Sequence, residues 1–92
     1  MIRSFRHKGL RQLYETGSKG GINASHIETL IDILTALEAA EIITDLNAPE
    51  FRLHELKGRQ KGRWSIKVSG AWRITFEFRE GLAISINYEQ YH

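Results

Sequence analysis

Between Trp64 and Tyr88, large apolar side chains alternate with small or polar ones in three consecutive runs. These are Trp64-Ser65-Ile66-Lys67-Val68, Trp72-Arg73-Ile74-Thr75-Phe76-Glu77-Phe78 and Leu82-Ala83-Ile84-Ser85-Ile86-Asn87-Tyr88. A repeat of two is the period of a half-buried strand, whose successive side chains leave opposite faces. Ser69-Gly70 and Glu80-Gly81 stand between the runs, where glycine supplies the positive φ of a tight hairpin. The pattern predicts an antiparallel meander. Its core face is Trp64, Ile66, Val68, Trp72, Ile74, Phe76, Phe78, Ile84, Ile86 and Tyr88. Its outer face is Arg63, Ser65, Lys67, Arg73, Thr75, Glu77, Ser85 and Asn87, which is cationic on balance and suited to an anion.

Upstream the period lengthens. Leu10, Leu13 and Tyr14 recur at helical spacing and Gly17 follows them, which predicts a short helix over about 7–16, weakened by Gly9. A longer helix is expected from a cap at Asn23 or Ser25, with Glu28 at capping-box spacing from Ser25, through Ile27, Leu30, Ile31, Leu34 and Leu37 to about Ala39. Residues 40–47 read as a connector packed on the core, ended by Ala48-Pro49. Phe51-Arg52-Leu53-His54 alternates like a further strand, and a basic loop, Leu56 to Gly62, leads into the meander. Residues 1–5 either add an edge strand or lead into the first helix. The fold class that follows is α+β: two N-terminal helices on one face of an antiparallel four-stranded sheet.

Ninety-two residues make one small domain, spanning 1–92, with no cysteine to cross-link it. No run approaches the roughly 20 apolar residues of a membrane span, and Arg3, Arg6 and Lys8 are followed by no apolar signal segment, so a cytoplasmic protein is the expectation. The net charge of +2 is uninformative, but its distribution is not. From Arg52 to Arg73 seven basic residues face one acid, Glu55, whereas Glu28 to Glu50 holds six acids and no Lys or Arg. Such a dipolar chain concentrates phosphates on one side, although a solvated basic hairpin has the same composition.

The sequence carries no phosphate-cradling glycine signature, no paired metal-ligand histidines and no serine-nucleophile motif. No metal or cofactor is expected. What remains is His54 at a strand end, the basic loop with Lys57, Arg73 in mid-sheet, and Tyr91-His92. Taken singly, each has an ordinary reading as a solvated or frayed side chain.

Taken together, Leu53-His54-Glu55-Leu56-Lys57-Gly58, Trp72-Arg73-Ile74-Thr75-Phe76 and the closing Tyr88-Glu89-Gln90-Tyr91-His92 resemble the HigB-type toxins of the RelE/ParE superfamily. The resemblance covers essentially the whole chain. It implies a RelE-like, microbial-ribonuclease-like sheet and a toxin of a type II toxin-antitoxin module. It also implies cleavage of mRNA in the ribosomal A site, and silencing by a cognate HigA-type helix-turn-helix antitoxin. His54, Tyr91 and His92 match the family's catalytic positions, and Lys57 and Arg73 its phosphate holders. Arg63, Lys67 and Gln90 complete the expected substrate-binding set. Gln90 is a departure, since the family commonly has aspartate there. The α-carboxylate of His92 is expected to replace part of that charge, the other reading being a weakened toxin.

Chemistry fits these residue types. Metal-free RNA cleavage needs a base for the 2′-hydroxyl proton, donors for the charge that builds on phosphate, and an acid for the 5′-oxygen. Histidine, with a pKa of about 6.5, fills either proton role; His92 is assigned as base and His54 as acid or electrostatic stabiliser. Arg73 offers a fork of donors and Lys57 a point charge. Tyr91 stacks on a base, bonds phosphate or lids the sheet. Two other readings stand beside this one: a catalytically feeble RNA- or ribosome-binding module, and a partner-binding domain with no role for nucleic acid.

Overall fold

The structure is a computed structural model and describes residues 1–90. Helix α1 (Lys8–Thr16) and helix α2 (Ile27–Ala39) precede strands β1 (His54–Glu55), β2 (Arg63–Ser69), β3 (Trp72–Arg79) and β4 (Leu82–Gln90). The strands form one antiparallel sheet in the order β1-β2-β3-β4. Residues 1–5 extend its edge, because Arg3 donates to the Ala83 carbonyl at 2.9 Å and Ile86 to that of Ser4 at 3.0 Å, parallel to β4.

The helices close one face of the sheet. Leu10 and Leu13 of α1, and Leu30, Ile33, Leu34 and Leu37 of α2, join Ile66, Ile74, Phe76, Ala83, Ile86 and Tyr88 in one buried cluster. Each leucine, isoleucine or phenylalanine among them contributes roughly 1.5–3 kcal/mol on burial. The helical stripe uses Ile33 where the spacing pointed to Ile31, whose side chain is 46% exposed on the outer flank of α2. Asn23, not Ser25, begins the second helical segment: its Oδ1 accepts from Ser25 N–H at 3.0 Å and caps a 3₁₀ turn leading into α2. Gly17 closes α1 in the left-handed region, at φ 78°. Gly9 is no mere weakness, since a Cβ there would lie 2.7 Å from the Gly21 carbonyl oxygen; the loop backbone packs directly on α1.

Two expectations about strands need correction. Residues 51–53 are not a strand, for Pro49 opens a 3₁₀ turn through Phe51 and Arg52 takes a left-handed conformation at φ 48°. Only His54–Glu55 pairs with β2. Ile84 is not in the core, because a bulge between Thr75 and Glu77 shifts the β3–β4 register, with Ser85 at φ 52°. A one-residue slip turns side chains over to the other face. Ala83 therefore enters the core and Ile84 lies opposite Glu77.

The far end of the sheet is fixed by an aromatic pillar. Trp72 and Tyr88 stack with ring centroids 4.6 Å apart, and the Tyr88 hydroxyl meets His26 Nδ1 at 2.5 Å. Burial pushes the Tyr88 hydroxyl above its ordinary pKa, opposed by a bond from the Asn23 backbone. This pillar ties the start of the second helical segment to the last residues of β4.

Candidate active site

The sheet face away from the helices is ordered in rows by register. One row crosses all four strands as His54, Ser65, Thr75 and Asn87; the next is Lys67, Arg73 and Glu89; a third is Arg63, Glu77 and Ile84. Neighbouring strands lie about 4.8 Å apart, so His54 and Arg73, two strands apart, start roughly 10 Å from one another and reach inward across that gap. Thr75, small and buried, forms the floor between them, with Ser65 beside it on β2. The 56–62 loop curls over this floor, held where Leu56 N–H bonds the Arg63 carbonyl at 2.8 Å.

The result is a cavity of about 340 Å³ lined by His54, Lys57, Gln60, Arg73, Thr75 and Glu89, together with Glu55 and Leu56. Its size is within the range of ligand sites, about 300–1,000 Å³. His54 stands at the entrance to β1, exposed, with Nδ1 3.3 Å from the Arg52 carbonyl. A carbonyl only accepts, so Nδ1 is the donor of this bond, and Nε2 is the ring nitrogen left to a ligand. Lys57 precedes the 3₁₀ turn at Gly58–Gln60 and is exposed on the cavity rim.

Three of the expected site residues are thus brought together: His54, Lys57 and Arg73. Three are not. Lys67 is beside Arg73 in the ladder but does not line the cavity. Gln90 pairs with Trp72, and alternation turns it to the other side of the sheet, where it is exposed. Arg63, expected as a surface contact for phosphate, is instead buried at 6% exposure. Its Nη2 donates to Thr75 Oγ1 at 3.2 Å and to the Ser85 carbonyl at 2.8 Å, and Nη1 is 3.7 Å from the Glu77 carboxylate. Burial lowers the Arg63 pKa, with Arg6 adding to the effect and Glu77 and Glu89 opposing it. Tyr91 and His92 lie outside the described residues.

Glu89 was missed from sequence, and it makes the cavity less cationic than the residue count between Arg52 and Arg73 implies. Its Oε2 accepts from Thr75 Oγ1 at 2.6 Å and from Asn87 Nδ2 at 3.0 Å. The available signal was the alternation itself, since 89 follows 85 and 87 on the outer face of β4 once the bulge has been passed. Among the described residues no group of three or more His, Asp or Glu is placed to hold a metal ion.

An α+β protein whose open sheet face carries a cavity uniting His54, Lys57 and Arg73 is the class these features define. Over residues 3–92 the sequence matches the family described as the RelE-like toxin of type II toxin-antitoxin system HigB, and the chain belongs to that family. It is 47% identical to the Endoribonuclease HigB of Proteus vulgaris over 92 residues, the full length of both chains. It is 34% identical to Toxin HigB-1 of Vibrio cholerae over 87 residues, 92% of each chain. A solved structure of a conserved hypothetical protein from Helicobacter pylori aligns with 96% of this chain and 90% of its own, at 16% identity and a TM-score of 0.49. Among the described residues no helix is long and apolar enough to cross a membrane.

Proposed function

We propose that this toxin is an endoribonuclease that cuts mRNA on the ribosome, in the A site, by acid-base chemistry of its own side chains. The RNA-cleaving class is supported by membership of the HigB-like family and by the full-length likeness to an endoribonuclease. The observation that carries the reading is the cavity uniting a histidine, a lysine and an arginine over a small-residue floor.

In this reading a base takes the 2′-hydroxyl proton, the 2′-oxygen attacks the adjacent phosphorus, and the bond to the 5′-oxygen breaks as an acid protonates it. The products are a 2′,3′-cyclic phosphate and a 5′-hydroxyl. Lys57 and Arg73 stabilise the charge that builds on the phosphate oxygens, an effect worth most where water is excluded. His54, through Nε2, serves as acid or electrostatic stabiliser. His92 is the base and Tyr91 supports the substrate, both roles resting on the family resemblance. The toxin acts in the cytoplasm, where its substrate is, and a HigA-type antitoxin holds it silent.

The test is induction of the native chain and of His54→Gln in cells, with mRNA 5′ ends mapped genome-wide. The reading predicts cuts inside translated codons for the native chain and their loss in the variant. Translation arrest without such cuts would favour a ribosome-binding module instead.

A further inference from the structure

The carboxylate of Glu89 is held by more than its location requires. Thr75 Oγ1 receives a bond from the buried Arg63 guanidinium, which occupies an acceptor site of the hydroxyl and commits its proton to Glu89. Asn87 adds a second donor to the same oxygen. Both bonds end on Oε2, and no bond to Oε1 is formed among the described residues. Arg63 is in turn fastened to the Ser85 carbonyl, at the bulge, and to Glu77. A chain of fixed donors therefore runs from the row beside the cavity to one carboxylate in its wall.

That carboxylate belongs to the residue opposite Arg73 on the same sheet face. The two are direct partners in the β3–β4 ladder, where opposed side chains start about 5 Å apart and opposite charges attract. Both line the cavity. We propose that Glu89 is a positioning residue for RNA cleavage: anchored by Thr75 and Asn87, it sets the guanidinium of Arg73 in the orientation that meets the charge developing on phosphate. This rests on the proposed endoribonuclease reading and assigns that site a component. Its signature is a division between binding and turnover. An anion in the wall repels the RNA in its ground state, so removing the charge favours binding, while the loss of orientation slows the chemical step.

The experiment compares native protein, Glu89→Gln and Glu89→Asp on programmed ribosomes. Single-turnover cleavage is measured on unmodified mRNA, and affinity on mRNA whose A-site codon carries 2′-O-methyl groups and is not cut. Glutamine keeps an oxygen to accept from Thr75 and Asn87 but has no charge. The expected result is a cleavage rate lowered about ten- to a hundredfold, with affinity for the methylated complex unchanged or tighter and a melting temperature close to native; aspartate, which keeps the charge, restores part of the rate. Cleavage by Glu89→Gln at the native rate overturns the proposal, as does a parallel fall in rate, affinity and melting temperature. A native protein that binds but does not cut overturns the endoribonuclease reading itself, and this assignment with it.

Discussion

Replacing Arg63 by methionine separates two roles that the sequence alone does not distinguish, a contact for phosphate and an internal support. The structure makes it a support, and a cost can be worked out. The guanidinium gives two hydrogen bonds, to Thr75 and to the Ser85 carbonyl. Bonds from a charged donor contribute about 1.5–3 kcal/mol each, so roughly 3–6 kcal/mol of interaction is lost. Part of that returns, because Nε and Nη1 are buried with no hydrogen-bond partner among the described residues and the charge no longer has to be kept from water. Methionine also refills the volume of the stem. Glu77 keeps Arg79 at 3.4 Å and is about a third exposed, so it is not stranded. A net loss of about 2 kcal/mol follows, or roughly 8–16 °C in melting temperature for a domain of this size. Urea unfolding of Arg63→Met, beside Lys57→Met as the surface control, reads it out. Lys57→Met should leave stability within about 0.5 kcal/mol while lowering the salt slope of RNA binding by about 0.7, the share of one single-stranded phosphate. Native stability in Arg63→Met together with that reduced slope would refute the structural role and restore the surface one.

Three further outcomes are expected. Gly9→Ala, which in an ordinary exposed helix gains up to about 1 kcal/mol, should instead lower the melting temperature, because its Cβ meets the Gly21 backbone; a rise would mean that the loop does not pack there. His7 caps α1 through Nδ1, which accepts from Leu10 N–H at 3.0 Å, and burial lowers its pKa. The unfolded chain then binds that proton more readily, so stability is full above about pH 6.5 and falls below it; His7→Asn should flatten the curve between pH 7 and 5, and an equally steep curve would exclude this origin. Glu38 and Asp45, held low by the hydrogen bonds they accept from Tyr14 and Ile2 and from the Glu41 and Ile42 backbone, contribute their losses at lower pH still.

The meander could be read from sequence because its period is simple and both turns carry glycine. What could not be read traces to particular residues. Ser85 adopts a positive φ that nothing in its chemistry announces, and the bulge it forms exchanges Ala83 for Ile84 in the core. The run 51–54 has a strand's alternation, but Arg52 breaks it in the left-handed region while Phe51 and Leu53 still turn to the core. Alternation placed Arg63 on the correct face, yet said nothing of burial, because that depends on the groups of other strands that meet the guanidinium, Thr75, Glu77 and the Ser85 carbonyl. His54, Lys57 and Arg73, which the family pattern marks, line one cavity. Glu89 was passed over because that pattern drew the eye to Gln90, which the strand turns to the other face.

On the proposed reading, RNA is held at the cavity between β1 and β3. This placement is tested most directly by NMR titration of the toxin with a short RNA bearing 2′-O-methyl groups, so that it binds uncut. Amide shifts concentrated at His54, Lys57, Gln60, Arg73 and Thr75, with α2 unmoved, are the result predicted; shifts centred on Tyr14, Ile31 and Glu38, with these cavity residues silent, would contradict it.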